Sequence, residues 1–261
     1  MKHAYIKTKR TTVSLLTAFG TCLSAEPLVT DRPDATESSA VVAPGFLQYE
    51  VGVTAFEDAE GESREEYGSS LLRVGLFEDW ELRLGWGGYT EAGDVSGATD
   101  GSLGFKYHIA AENAATWRPE MALLAQTTVP FGKDALSSDE LDPGFLLAFS
   151  HTLSERWSLG YNLGAELATS ETAGGDETTL ASGLYSVALG YGATDRLGFF
   201  VEVFGDAGLS ADSSSTSIDG GVTWLFDDDH QFDFFAGAGL DDDADDWFLG
   251  LGYSVRFGGL R

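Results

Sequence analysis

The chain has 261 residues, with 42 Asp/Glu against 15 Lys/Arg, a formal net charge of −27, 33 glycines and one cysteine. A chain this acidic has no electrostatic route to nucleic acid, and no apolar run reaches the roughly 18 residues that a spanning helix needs. Mean hydropathy is nonetheless near zero, at −0.07, as expected where apolar and polar residues alternate along strands.

Lys2, Lys7, Lys9 and Arg10 precede a short stretch of apolar and small residues, Thr11 to Leu23, and Leu23-Ser24-Ala25 stands before Glu26. That order reads as a secretory signal peptide over residues 1–25; a disordered basic tail is the competing reading. Cys22 follows Phe19-Gly20-Thr21, a poor lipoprotein box, and leaves with the signal. The mature chain then has no thiol and no disulfide. Maturation removes four bases and no acid, leaving 11 basic residues against 42 acidic ones and a net charge of −31.

Residues 26–44 form a separate N-terminal segment. Arg32-Pro33 and Asp34 make a stiff, charged turn, and Pro44-Gly45 is a turn signal directly before a strand. Two readings stand side by side. The segment folds back into the lumen or its mouth, where Asp31, Arg32, Asp34 and Glu37 pair with charges such as Arg73, Glu81 and Arg83; or it is a solvated periplasmic lead-in.

Residues 45–261 break into segments of about ten residues with period-two alternation, the mark of strands with two unlike faces. The first sets Leu47, Tyr49, Val51, Val53 and Ala55 against Gln48, Glu50, Gly52 and Thr54. The third sets Trp80, Leu82, Leu84 and Trp86 against Glu81 and Arg83; the seventh sets Trp157, Leu159, Tyr161, Leu163, Ala165 and Leu167 against Ser158, Gly160, Asn162, Gly164 and Glu166. The twelfth closes on Trp247, Leu249, Leu251, Tyr253, Val255 and Phe257, a run similar to the C-terminal signal of bacterial barrels. Apolar faces carry no charge, apart from a proton that His151 could take up, and many end in Trp, Tyr or Phe, as at a bilayer boundary. Short connections (77–79, 154–156, 193–195, 227–229, and a longer one at 111–116) alternate with long acidic ones near 57–65, 91–99, 131–142, 170–178, 209–216 and 241–246. The expected fold is all-β: a transmembrane, antiparallel, up-and-down β-barrel of about twelve strands with both termini periplasmic. Closure removes the strand edges that lipid cannot tolerate.

The stretch Thr30-Asp31-Arg32-Pro33-Asp34-Ala35-Thr36-Glu37-Ser38, followed by Pro44-Gly45 and then Gln48, Glu50 and Gly52, resembles the opening of the family called "putative meta-pathway of phenol degradation". That family typically opens T-D-R-P-D-x-T-E-S, then P-G, then Q-x-E-x-G. The resemblance implies a small outer-membrane barrel that passes organic compounds.

An ionisable Arg or Lys at the midplane of the lipid face costs about 2–4 kcal/mol, so parity places Glu50, Arg73, Glu81, Arg83, Lys106, His108, Glu166, Glu202, Asp233 and Arg256 on the lumen side. They read as a pore lining, or as an ion-pair network that fills a narrow barrel. The N-terminal motif contributes Asp31, Arg32, Pro33, Asp34 and Glu37. Asp227-Asp228-Asp229, and Asp241-Asp242-Asp243 with Asp245-Asp246, lack the glycine turn of a calcium loop and read as solvated charge. His151 is the histidine on an apolar face and has no lipase-like serine motif beside it.

The expected function is passive uptake of small solutes, hydrophobic or aromatic compounds among them, across the outer membrane of a Gram-negative bacterium. A surface-interaction barrel with a plugged lumen is the alternative, and a lipid hydrolase is the third reading. No catalytic residue, metal or cofactor is expected. The expected partners are outer-membrane lipids, lipopolysaccharide, the solute and the barrel assembly machinery, around a monomer. Residues 131–142, with Pro130, Phe131-Gly132 and Pro143-Gly144 as hinges, are expected to constrict the bore.

Overall fold

The computed structural model describes residues 27–58, 61–171, 177–210 and 214–258. The expected signal peptide, residues 1–25, lies outside the described residues. The strands are β1 (Phe46–Glu57), β2 (Ser63–Phe77), β3 (Trp80–Trp86), β4 (Tyr89–Ala92), β5 (Val95–Ala98), β6 (Gly101–Ala110), β7 (Glu120–Val129), β8 (Pro143–Thr152), β9 (Trp157–Glu171), β10 (Glu177–Gly192), β11 (Leu197–Gly208), β12 (Ser214–Asp227), β13 (His230–Gly239) and β14 (Trp247–Gly258). Every pairing is antiparallel. β1 pairs with β2 on one side and with β14 on the other, which closes the sheet. Twelve strands form the wall; β4 and β5 form a small hairpin, turning at Gly93-Asp94, that carries β2's pairing upward beyond β3.

That hairpin occupies part of the segment expected as a loop at 91–99. The loops expected at 57–65 and 170–178 are also shorter, because β2 starts at Ser63, β9 runs to Glu171 and β10 starts at Glu177. Strands of up to 16 residues exceed the roughly 9–11 that cross a bilayer, so the wall rises past the membrane at its open end. Gly68, with φ of 72°, sits in β2 where the β1–β2 register slips. The bulge exchanges the faces of β2: Arg73 points into the lumen below it, and Glu66 pairs opposite lumen-facing Thr54 above it.

The exterior is apolar. Leu84, Leu103, Phe105, Leu123, Phe145, Leu163, Val187, Phe199, Val201, Phe234 and Leu251 stand exposed in a belt round the wall. In water such a belt would be a large unpartnered patch; in lipid it is the satisfied face. Aromatic pairs ring the tight-turn end: Trp80 on Tyr107 (4.7 Å), Trp157 on Tyr191 (4.8 Å) and Phe232 on Tyr253 (4.9 Å). The protein is turned inside out relative to a soluble domain, since its most buried large side chains are Arg73, Lys106, Gln48, Glu50, Glu81 and Glu202.

Candidate functional site

Residues 28–44 lie inside the barrel as a strap that enters and leaves by the tight-turn mouth. At entry, Leu28 N–H donates to the Asp228 carbonyl in the β12–β13 turn (2.8 Å). At exit, Gly45 N–H donates to the Gly75 carbonyl (3.2 Å). The Val42 and Ala43 carbonyls press on the bare Cα of Gly75, where any Cβ would collide with them.

A strap with no sheet partner must satisfy its backbone donors elsewhere. Wall side chains do so. Glu50 accepts from Asp31 N–H (3.1 Å) and Arg32 N–H (2.9 Å), Glu202 from Ala35 N–H (2.7 Å), Asn162 Oδ1 from Glu37 N–H (2.7 Å) and Glu81 from Val42 N–H (2.8 Å). Thr36 Oγ1 also donates to Glu202, and Arg73 and Gln48 donate to the Val29 carbonyl at 3.1 and 2.8 Å.

Charge holds the strap to one side. The Asp31 carboxylate faces Arg73 (3.1 Å), Lys106 (2.9 Å) and Arg83 together. Arg73 also pairs with Glu50 (3.1 Å) and Glu81 (2.8 Å); Arg83 pairs with Glu37 (2.7 Å) and Glu81 (3.1 Å); Lys106 pairs with Glu37 (3.1 Å). Burial alone would raise the Asp31 carboxyl, but Arg73, Lys106 and Arg83 hold it well below the usual carboxylate range. Asp34 is the opposite case. Burial, with Glu202 and then Asp219 nearby, pushes it well above that range.

Of the residues expected in the lumen, Glu50, Arg73, Glu81, Arg83 and Lys106 meet Asp31 and Glu37 in this network. Asp233 meets Arg32 (3.4 Å), and Glu202 meets the strap backbone. His108 sits apart, between Asp79 and Glu120 at 3.3 Å from each. Arg256 pairs with Asp229 (2.7 Å) in the β12–β13 turn. Glu166 lies half-buried on β9 with Asp206 and Asp142 as acidic neighbours. His151 is buried on the outer face, stacked on Trp117 (4.8 Å) and 3.9 Å from Glu112. Residues 131–142 are fastened at the open rim. Asp100 accepts from the N–H groups of Phe131, Gly132 and Ser138, and Lys133 N–H bonds the Ala98 carbonyl. Asp100 itself lines the cavity above the strap between β2, β3 and β6, a space of about 360 Å³, but among the described residues none of 131–142 does, so this segment does not form the constriction expected of it there.

The other half of the lumen holds a second kind of site. Phe56, Phe204, Phe235 and Phe248 point inward around a cavity of about 450 Å³. Phe248 lies 6.2, 6.0 and 6.3 Å from the rings of Phe56, Phe204 and Phe235. Each of two rings sits over a cross-strand glycine, Phe235 on Gly250 and Phe248 on Gly237, where a Cβ would strike it. Pro33 and Asp34 of the strap form the floor on one side. Beyond the strap, towards the tight-turn mouth, another space of about 460 Å³ is lined by Leu28, Thr36, Gly160, Phe200 and Gln231. Alternation read for apolar outward faces passes over these inward rings. For three of them, Phe200, Phe235 and Phe248, the signal is the aromatic doublet: in Phe199-Phe200, Phe234-Phe235 and Trp247-Phe248 the second ring must face the lumen if the first faces lipid; Phe56 and Phe204 carry no such mark.

An apolar belt around a closed antiparallel wall, with charge turned inward, defines an outer-membrane β-barrel. The chain belongs to the family described as "Putative MetA-pathway of phenol degradation", whose profile matches residues 30–257. Its fold is similar to that of an outer membrane channel from Pseudomonas putida F1 (TM-score 0.66, 15% identity, 86% of this chain and 100% of that one). It is also similar to the NanC porin (0.57, 10%, 80% and 98%) and to the translocator domain of autotransporter NalP from Neisseria meningitidis (0.51, 12%, 83% and 90%). No curated relative matches the sequence.

Proposed function

We propose that the protein is a channel for passive uptake of small solutes across the outer membrane, with apolar and aromatic compounds as its preferred class. The observation that carries this reading is the phenylalanine-lined cavity of about 450 Å³ beside the strap, which falls within the range of roughly 300–1,000 Å³ typical of small-molecule sites. Solute enters from the open rim, rests against the rings, and passes the strap towards the cavity of about 460 Å³ on the far side. The family description, which names phenol degradation, fits an aromatic cargo. In this reading the tight-turn end and both termini face the periplasm, residues 1–25 are removed on export, and the mature chain acts as a monomer without a cofactor or catalytic residue.

Planar-bilayer recording of the refolded mature chain tests it. Discrete ionic channels that toluene or phenol partly blocks are expected. Deletion of residues 27–43 is expected to raise the unit conductance severalfold. It is also expected to shift selectivity towards anions, because Arg73, Arg83 and Lys106 then face only Glu50 and Glu81. A second reading, a plugged structural barrel, is favoured by the dense bonding of the strap; a silent full-length barrel that neither conducts nor passes solute, beside a conducting deletion, would establish it.

A further inference from the structure

The phenylalanine cavity is more acidic than an apolar solute requires. Asp219 lines it, is only 6% exposed, and leaves Oδ1 without a hydrogen-bond partner. Asp34 lines it too, and no ion pair to it is present among the described residues. Asp243 and Asp245 stand at its outer edge. An unpartnered carboxylate in such a place is costly, and among the described residues no cation is paired with it. Arg64 is committed to Asp245 (3.3 Å) and Glu66 (3.5 Å), and Arg32 to Asp233 (3.4 Å). Those two arginines also show what the rings accept: Arg64 lies over Phe56 at 4.2 Å and Arg32 over Phe235 at 5.8 Å. The inner rings of Phe204 and Phe248 have no such cation over them among the described residues. A metal ion does not fit, since no group of three or more ligating side chains comes together among the described residues.

We propose that this cavity is a binding site for organic cations: ammonium or amidinium groups carried on an apolar or aromatic body. The Asp219 carboxylate takes the charge and the faces of Phe204, Phe235 and Phe248 take the body. The acidic rim, with Asp243 and Asp245 as its innermost members, draws such cations in ahead of neutral molecules. The inference rests on the reading of this cavity as a solute site and adds the sign of the solute's charge.

Titration calorimetry on the refolded mature chain in nanodiscs, with empty nanodiscs subtracted, tests it using benzyltrimethylammonium and the neutral benzyl alcohol as probes. The expected result is a preference for the cation of about tenfold or more. That ratio should collapse towards one in Asp219→Asn and fall in Phe248→Leu, with heat-modifiable gel migration showing that each variant has folded. The second variant keeps the test decisive if Asn at 219 impairs folding. Equal binding of both probes would overturn the inference while leaving the channel reading intact. Binding of neither would overturn the cavity's role as a solute site altogether. A cation preference that survives both substitutions would overturn its assignment to this cavity.

Discussion

The lumen has two unlike halves, built by the same device. On β2, β3 and β6, inward residues at alternate positions are Arg73, Glu81, Arg83 and Lys106, and each charge there is answered within hydrogen-bond distance by the strap or a neighbour. On β11, β13 and β14, inward residues at alternate positions are Glu202, Phe204, Asp233, Phe235, Phe248, Gly250 and Gly252; rings seated on glycines leave a space beside them. One half is a lock and the other a room. The contrast teaches that filling a barrel is not one problem. Paired charge fixes a segment in a single geometry because any displacement strands a charge in low dielectric. Aromatic rings on glycine seats cover the wall without reaching across the bore.

Breaking the lock should have the largest effect. Arg73→Ala leaves Asp31, Glu50 and Glu81 short of their shared cation, and about 3–5 kcal/mol of stability should be lost. Urea unfolding in lipid vesicles measures it; a loss under about 1 kcal/mol would show the network to be dispensable.

A smaller effect, opposite in sign, is expected at the boundary between the halves. Asp34 titrates above its ordinary value of 3.8, so its contribution to strap stability is full below that value and is lost as pH rises through the folded one. Asp31 behaves oppositely: its contribution is present above 3.8 and persists until pH falls well below it. Mild acidification should therefore tighten the strap. Asp34→Asn should stabilise the neutral-pH protein and flatten the pH dependence of the unfolding midpoint. A variant with unchanged pH dependence would place the titration elsewhere.

The smallest effect belongs to the outside. Trp80→Ala removes one member of the pair with Tyr107 and should cost about 0.5–1.5 kcal/mol, with conductance and solute block untouched. A change in either would mean that the girdle and the lumen are coupled.

How far these regions were legible in the sequence follows from what alternation can carry. The wall was legible because lipid forbids charge on one face, so Leu47 to Ala55 or Trp157 to Leu167 declare both strand and facing. The upper part of β2 was not: Arg64, Glu65 and Glu66 are polar on both faces because they stand above the bilayer, and the Gly68 bulge reverses the parity that Arg73 sets below. The β4–β5 hairpin has four-residue strands, too short for a period-two pattern to show. In the site, parity separates Arg73, Arg83 and Lys106 from lipid, yet cannot say that all three converge on Asp31. That convergence comes from the closed curvature of the wall and from a strap bonded to strands far apart in sequence. Phe56 and Phe204 stand alone in the sequence, with no ring beside them to mark which way they face, whereas the doublets at 234–235 and 247–248 require one ring of each pair, Phe235 and Phe248, to turn inward.

Arg32 has a consequence beyond its salt bridge. Its guanidinium lies against Gly52 and Gly252, the cross-strand pair where β1 meets β14, and reaches the Leu251 carbonyl (3.4 Å) and Asp233. This is the joint between the first and last strands, the one that can form only when the whole chain has been made. A side chain lying across it acts as a clasp on the finished ring: to unzip there, the barrel must first lift Arg32 and with it the strap. Such a clasp acts chiefly on the rate of opening, so it would show in how slowly the assembled barrel comes apart.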